Sequence, residues 1–242
     1  MDLLRAKILE YIENFPGKAF IAVLLIGVMF IMVGIDAAKD FTPEQYDMAV
    51  DYLTYEAPDT ELYTRLSYAC EFAVECPSGD YQTYITIDAD NYKEVLANIN
   101  DYQYTMYVLS GFYESMMIEG DIGYYLYYKD TIFVDEISDL LRKINLDSMA
   151  DAYDECIEPN SDIIKDFVSD VEELEGLYTG NCVQELDKKY DLSKFNKAFA
   201  KINKDDILLK SLAEYGRVNI KQFHLQKYDK LYLEGIIRSK NY

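Results

Sequence analysis

The chain has 242 residues, half of them hydrophobic and 24 of them tyrosine, and carries 44 acidic against 23 basic side chains for a formal net charge of −21. That much apolar and aromatic content excludes wholesale disorder, and the repulsive field argues against nucleic acid as a partner, because phosphate contacts need a cationic face. One stretch alone is apolar enough to span a bilayer, which excludes a polytopic membrane protein.

Residues 1–17 place Leu3, Leu4, Ile8, Leu9, Ile12 and Phe15 at helical spacing among Asp2, Arg5, Lys7, Glu10 and Glu13. This pattern predicts an amphipathic juxtamembrane helix at the cytoplasmic headgroups, with a plain cytosolic stub as the alternative. Pro16-Gly17 breaks it. From Ala19 to Ile35 (AFIAVLLIGVMFIMVGI) no charge interrupts the chain, so 18–38 is expected to be a transmembrane helix. A core helix of a water-soluble fold usually keeps a polar stripe, and this one has none.

The apolar run exceeds the ~7–15 residues of a secretory signal, which makes an uncleaved signal anchor the expectation. Cleavage after Ala38 would also put Asp36 three residues before the cut. Arg5, Lys7 and Lys18 precede the span and Lys39 follows it. That asymmetry predicts a single-pass protein of the cell (inner) membrane, N-terminus cytoplasmic and C-terminal part extracytoplasmic. Gly27, Gly34 and Ala38 share one face of the span, where small residues let a second helix approach closely.

The rest reads as an acidic, tyrosine-rich domain over 39–180 and a basic helical segment over 181–242 that packs on it. Residues 36–180 hold 33 acidic and 7 basic side chains, whereas 181–242 hold 8 acidic and 13 basic. The expected fold class is mainly α, with at most a few short strands. Thr42-Pro43-Glu44-Gln45 carries an N-cap, a proline at the first helical position and a capping-box Gln, so a helix should run from Pro43 to about Tyr55. A second should begin near Asp59 with Leu62, Leu66, Ala69, Cys70 and Ala73 on one face. Tyr81 to Ile87 is the best strand candidate.

Asp90 should cap a helical stretch that breaks near Asn100 and runs to Ile118, with Gly120 as its C-terminal cap. Tyr104 to Ile118 is apolar nearly all round, so it should be the central buried helix. Glu114 within it is a candidate perturbed carboxylate, by burial, or else a marginal carboxylate bonded to a tyrosine. Tyr124, Tyr125, Tyr127 and Tyr128 are candidate partner-binding residues, or a strand with Tyr125 and Tyr127 inward. Further helices are expected over Val134–Ile144, Leu146–Ile157 and Asp162–Leu177. Leu192, Phe195, Phe199 and Ile202 then line one face of a helix whose other faces carry Lys194, Lys197 and Lys201.

Four cysteines, Cys70, Cys76, Cys156 and Cys182, follow the span. In a translocated domain they predict two disulfides, Cys70–Cys76 and Cys156–Cys182 on grounds of local loop closure; buried thiols are the alternative. Zinc needs tighter pairs, so no metal is expected. Asp88-Ala89-Asp90-Asn91 begins like a calcium loop, but Lys93 stands where the turn glycine belongs and Ile99 where the bidentate Glu belongs. His224, the one histidine, reads as structural. No nucleophile elbow, P-loop, dinucleotide fingerprint or zincin motif is present, so no catalytic residue and no cofactor is expected.

The function these features point to is a single-pass anchored accessory or scaffold subunit of a membrane complex. Its partners are membrane lipid and other membrane subunits, or a second copy of itself. Two other classes compete: an extracytoplasmic ligand-sensing or cation-binding domain, and an envelope hydrolase using paired carboxylates.

Overall fold

Proline is well placed at a helix start, where its missing N–H has no intrahelical acceptor. In the computed structural model of the chain, helix α1 accordingly runs Pro43–Tyr55. The structure describes residues 41–76, 85, 91–127, 131–172 and 179–242. The chain divides into two compact units, Met1–Pro43 and Glu44–Tyr242. Nearly all of the first, with the amphipathic segment, the expected span and its Gly27, Gly34 and Ala38, lies outside the described residues. No helix among the described residues is long and apolar enough to cross a membrane.

In the second unit, α2 (Asp59–Glu75) buries Leu62, Leu66, Ala69, Cys70 and Ala73, the face its spacing predicts. The short α3 (Tyr92–Leu96) ends in a break that a capping box explains. Asn100 accepts from the N–H groups of Tyr102 and Gln103 at 3.0 Å each, and the Gln103 side chain accepts from the Asn100 N–H at 3.2 Å. This starts α4 (Asp101–Ile118). Gly120 follows at φ +69°, a left-handed conformation that closes a helix and favours glycine.

Beyond it come α5 (Ile122–Tyr125), α6 (Ile137–Lys143), α7 (Asp147–Cys156) and α8 (Ser161–Glu172). After residues outside the described set follow α9 (Thr179–Tyr190), α10 (Leu192–Ile202), α11 (Ile207–Val218), α12 (Leu225–Tyr228) and α13 (Lys230–Lys240). The protein is mainly α, with no strand among the described residues. The strand expected over Tyr81–Ile87 falls outside them except for Ile85, whose N–H donates to the Glu75 carbonyl at 2.8 Å.

Helix α4 is the centre of the core, with Met106, Leu109 and Phe112 fully buried. On one side it packs on α2 and α11. On the other, Phe112 meets Tyr125 of α5 edge-on at 5.4 Å, Phe199 of α10 at 5.9 Å and Tyr153 of α7 at 6.4 Å. Tyr153 and Phe195 are themselves edge-on at 5.6 Å. Such edge-to-face rings combine large apolar burial with favourable quadrupole geometry. The Tyr153 hydroxyl donates to the Val134 carbonyl at 2.9 Å, so its polar tip is satisfied within the core.

The basic C-terminal helices therefore share one hydrophobic core with the acidic ones. Their lysines stay at the surface, where Lys194 pairs with Glu155 at 2.6 Å. Several helix junctions turn on short polar residues with positive φ, among them Asp191 (53°) and Asp206 (58°). Asp and Asn tolerate that region better than other side chains.

Candidate functional site

The sequence-predicted residues do not converge. Tyr125 is fully buried against Phe112, which corrects its assignment to a binding surface. The segment is a helix here and not a strand. A Cβ at Gly123 would lie 2.8 Å from Val183 Cγ1, so glycine lets α5 press against α9. Tyr124 and Tyr127 are half-buried, and Tyr128 lies outside the described residues.

Cys70, Cys76, Cys156 and Cys182 are all buried, and no disulfide joins any of them. The expected pairing thus has no counterpart in the structure, where all four side chains are buried thiols, the alternative reading of them as small hydrophobes. Burial holds the Cys70 thiol well above its usual pKa. Among the described residues no group of His, Cys, Asp and Glu is arranged to hold a metal ion.

Glu114 is exposed at the margin of α4, which removes the burial its expected pKa shift required. Its Oε1 accepts from the Tyr63 hydroxyl at 3.4 Å. Burial first, and then the Glu114 charge, raise the pKa of Tyr63.

Two concavities and one buried carboxylate escape any one-dimensional reading. A groove of about 580 Å³ runs between α1 and the Ile220–Tyr228 region. Asp47, Val50 and Asp51 line it from α1, and Lys221, Leu225 and Lys227 from the Ile220–Tyr228 region. His224 also lines it, exposed at φ 50° where α12 begins.

Near it, Asp229 is 5 % exposed at the start of α13. Its side chain makes no capping bond there. Burial pushes its carboxyl up to about 6 against the pull of Arg65, whose guanidinium is 3.9 Å away. Arg65 also lies 4.0 Å over the Tyr232 ring.

The second concavity is a slot of about 70 Å³ between α2 and α4. Ser67, Glu71 and Glu75 form an i, i+4, i+8 stripe on α2, and Tyr107, Ser110, Gly111 and Glu114 a matching stripe on α4. Glu71 and Glu114 sit exposed at its mouth, whereas Glu75 and Ser110 are each 4 % exposed within.

The arrangement is that of an acidic all-helical domain with polar recesses and no assembled catalytic constellation among the described residues. A family model described as DMP19-like protein matches residues 97–221, just over half of the chain, from the break before α4 to the end of α11. The chain belongs to the DMP19-like protein family. No curated protein and no solved structure matches it.

Proposed function

We propose that this protein is a membrane-anchored accessory subunit that docks a basic protein partner on its acidic helical domain. The observation that carries the reading is the charge surplus of residues 36–180, 33 acidic against 7 basic side chains, on helices whose apolar faces are already used in the core. Carboxylates in such excess have too few internal cations to pair with. Arg142 already serves both Asp151 and Asp154, at 2.8 and 2.6 Å. A field of this sign steers a cationic partner and falls off with salt.

Apolar side chains left in water beside the charges, Tyr55 at 79 % and Val218 at 73 % exposure, supply the contact area that charge alone lacks. The anchor is the uninterrupted apolar run Ala19–Ile35, with the acidic domain outside the cell membrane. Chemical crosslinking followed by co-purification from solubilised membranes tests the reading. A salt-sensitive partner should be recovered; protein that stays monomeric and alone at low salt overturns it.

A second reading, an extracytoplasmic ligand-sensing domain, draws on the groove at α1. Its lining carries both acidic residues, Asp47 and Asp51, and basic ones, Lys221 and Lys227, which suits a small ligand with charges of both signs.

A further inference from the structure

We infer that the groove between α1 and the Ile220–Tyr228 region binds a short peptide with both termini free. Its ammonium end is held by Asp47 and Asp51 and its carboxylate end by Lys221 and Lys227. The site rests on the second reading above, a ligand-sensing domain, and names the class of ligand.

The sequence puts the two sets of charges on separate elements. Asp47 and Asp51 stand four residues apart on α1 and so share a face. Like charges at that spacing are unfavourable to a helix until a cation comes between them. Lys221 and Lys227 flank His224, whose φ of 50° cannot continue a helix. The chain therefore turns between the Ile220–Phe223 segment and α12, and both lysines line one cavity.

These opposite charges share a cavity without neutralising one another. Among the described residues no ion pair includes Asp47, Asp51, Lys221 or Lys227. Elsewhere the scarce cations close on carboxylates, as Lys143 does on Asp101 and Lys194 on Glu155, each at 2.6 Å. In the groove Asp47 accepts a long bond of 3.3 Å from the Gln226 amide, and Lys227 donates to the Tyr228 hydroxyl at 3.0 Å. A molecule bearing both signs pairs with both sets at once. A simple cation or anion is attracted by one set and repelled by the other.

Volume chooses among zwitterions. The groove's 580 Å³ falls within the ~300–1,000 Å³ of small-molecule sites. A free amino acid carries both charges on one carbon and fills little of that space. Two or three residues, extending ~3.3 Å each, carry the charges apart to separate elements. Buried Leu225, half-buried Val50 and exposed Tyr55 supply apolar surface for the peptide's side chains.

The test is calorimetric titration of the purified full chain, in a nonionic detergent, with trialanine. L-Alanine is the shorter zwitterion, and N-acetyl-trialanine and trialanine amide each lack one charge. Trialanine should bind at least about tenfold more tightly than the other three. A surface that is acidic and nothing more would favour the amide, which is a net cation. Asp51→Asn should weaken trialanine about tenfold and erase its advantage over the N-acetyl form. Lys221→Gln should do the same and erase its advantage over the amide. Both side chains are exposed, so both variants should fold as the parent does. Glu158→Gln, exposed elsewhere, should change no affinity.

No binding of trialanine, binding indifferent to both groove variants, or an amide as tight as trialanine overturns the site. L-Alanine as tight as trialanine overturns the assignment to a peptide. If the amide binds tightest and loses affinity in Asp51→Asn, the peptide site falls and a ligand-binding groove stands. If trialanine binds as expected but the domain resists protease added to sealed cells, the site stands and the extracytoplasmic sensing reading falls.

Discussion

A Cβ placed on Gly216 would lie 2.0 Å from Leu66 Cδ1, so α11 and α2 touch at a point where only glycine fits. Leu66 is fully buried, and Met106 of α4 lies 3.4 Å from the same position. Three helices that are far apart in the chain therefore converge on one missing methyl group. This contact fixes how deeply α11 seats, and with it the Arg217 side chain. That guanidinium donates to the Thr54 carbonyl at 2.7 Å and to Asp59 at 2.9 Å. The corner between α1 and α2 is held by that pair of bonds.

Gly216→Ala has two opposing effects. Alanine favours a helix over glycine by about 1 kcal/mol. Forcing a methyl group into a closed core costs about 1–3 kcal/mol. The expected net is a loss of up to about 2 kcal/mol in urea unfolding. In a Leu66→Ala background the obstruction is gone, so the same Gly216→Ala should stabilise by about 1 kcal/mol. A glycine-to-alanine effect of one sign in both backgrounds would contradict this contact.

Asp229 gives a pH signature with a definite sign. Its folded pKa of about 6 lies above the ordinary carboxyl value of 3.8, so the folded state binds the proton more tightly. Stability from this group is greatest below about pH 4 and is lost as pH rises toward and through 6. Above that window the penalty is about 3 kcal/mol, since each tenfold difference in proton affinity between folded and unfolded chain corresponds to about 1.4 kcal/mol and the pull of Arg65 is already contained in the folded value. Asp229→Asn should therefore be more stable than the parent at pH 7.5 by about 3 kcal/mol and close to it at pH 4. Thermal melts of both proteins across that range make the comparison, and a difference that does not vary with pH would refute it.

What the sequence disclosed and what it concealed divide along local and non-local causes. Pro43, the Asn100–Gln103 box and Gly120 act within a turn of where they stand, and all three helix boundaries were legible. The buried face of α2 was legible because its period is intrinsic to the helix. Tyr124 to Tyr128 was misleading: alternating aromatics look like a strand, yet the outcome depends on Gly123 meeting Val183 some sixty residues later. An aspartate before a helix reads as a cap. Asp229 instead lies near Arg65 of α2, which no local pattern announces. The slot at Ser110 requires two helix faces to be seen together, and one-dimensional spacing shows each stripe separately.

The cysteines give a chemical test of the core. Cys70, Cys76, Cys156 and Cys182 are buried without a disulfide, and burial raises the thiol pKa of Cys70 and of Cys156. Thiolate is the reacting species, so a neutral, buried thiol reacts slowly. The native protein should show little reaction with a maleimide over minutes, and full alkylation of all four after denaturation without reductant. Mass spectrometry counts the adducts. Two adducts or none after denaturation would reveal disulfides and restore the pairing expected for a translocated domain.

The tyrosine cluster separates stability from docking once its members are treated one by one. Tyr125 is fully buried with its ring edge-on to Phe112, at an interplanar angle of 89°. Truncating a core aromatic removes its burial and leaves a cavity, so Tyr125→Ala should lose about 3–5 kcal/mol. Tyr125→Phe keeps the ring and should lose far less, and the two together show that packing carries the effect. Tyr124 and Tyr127 are half-buried, so Tyr124→Ala and Tyr127→Ala should each stay within about 1 kcal/mol of the parent. Those two variants are the proper probes of an outer contact, because circular dichroism and thermal melting should show them folded. If they reduce partner recovery while Tyr125→Phe does not, the docking surface includes the outward edge of α5. If a folded double variant of Tyr124 and Tyr127 recovers partner at the parent level, the partner docks elsewhere on the acidic domain.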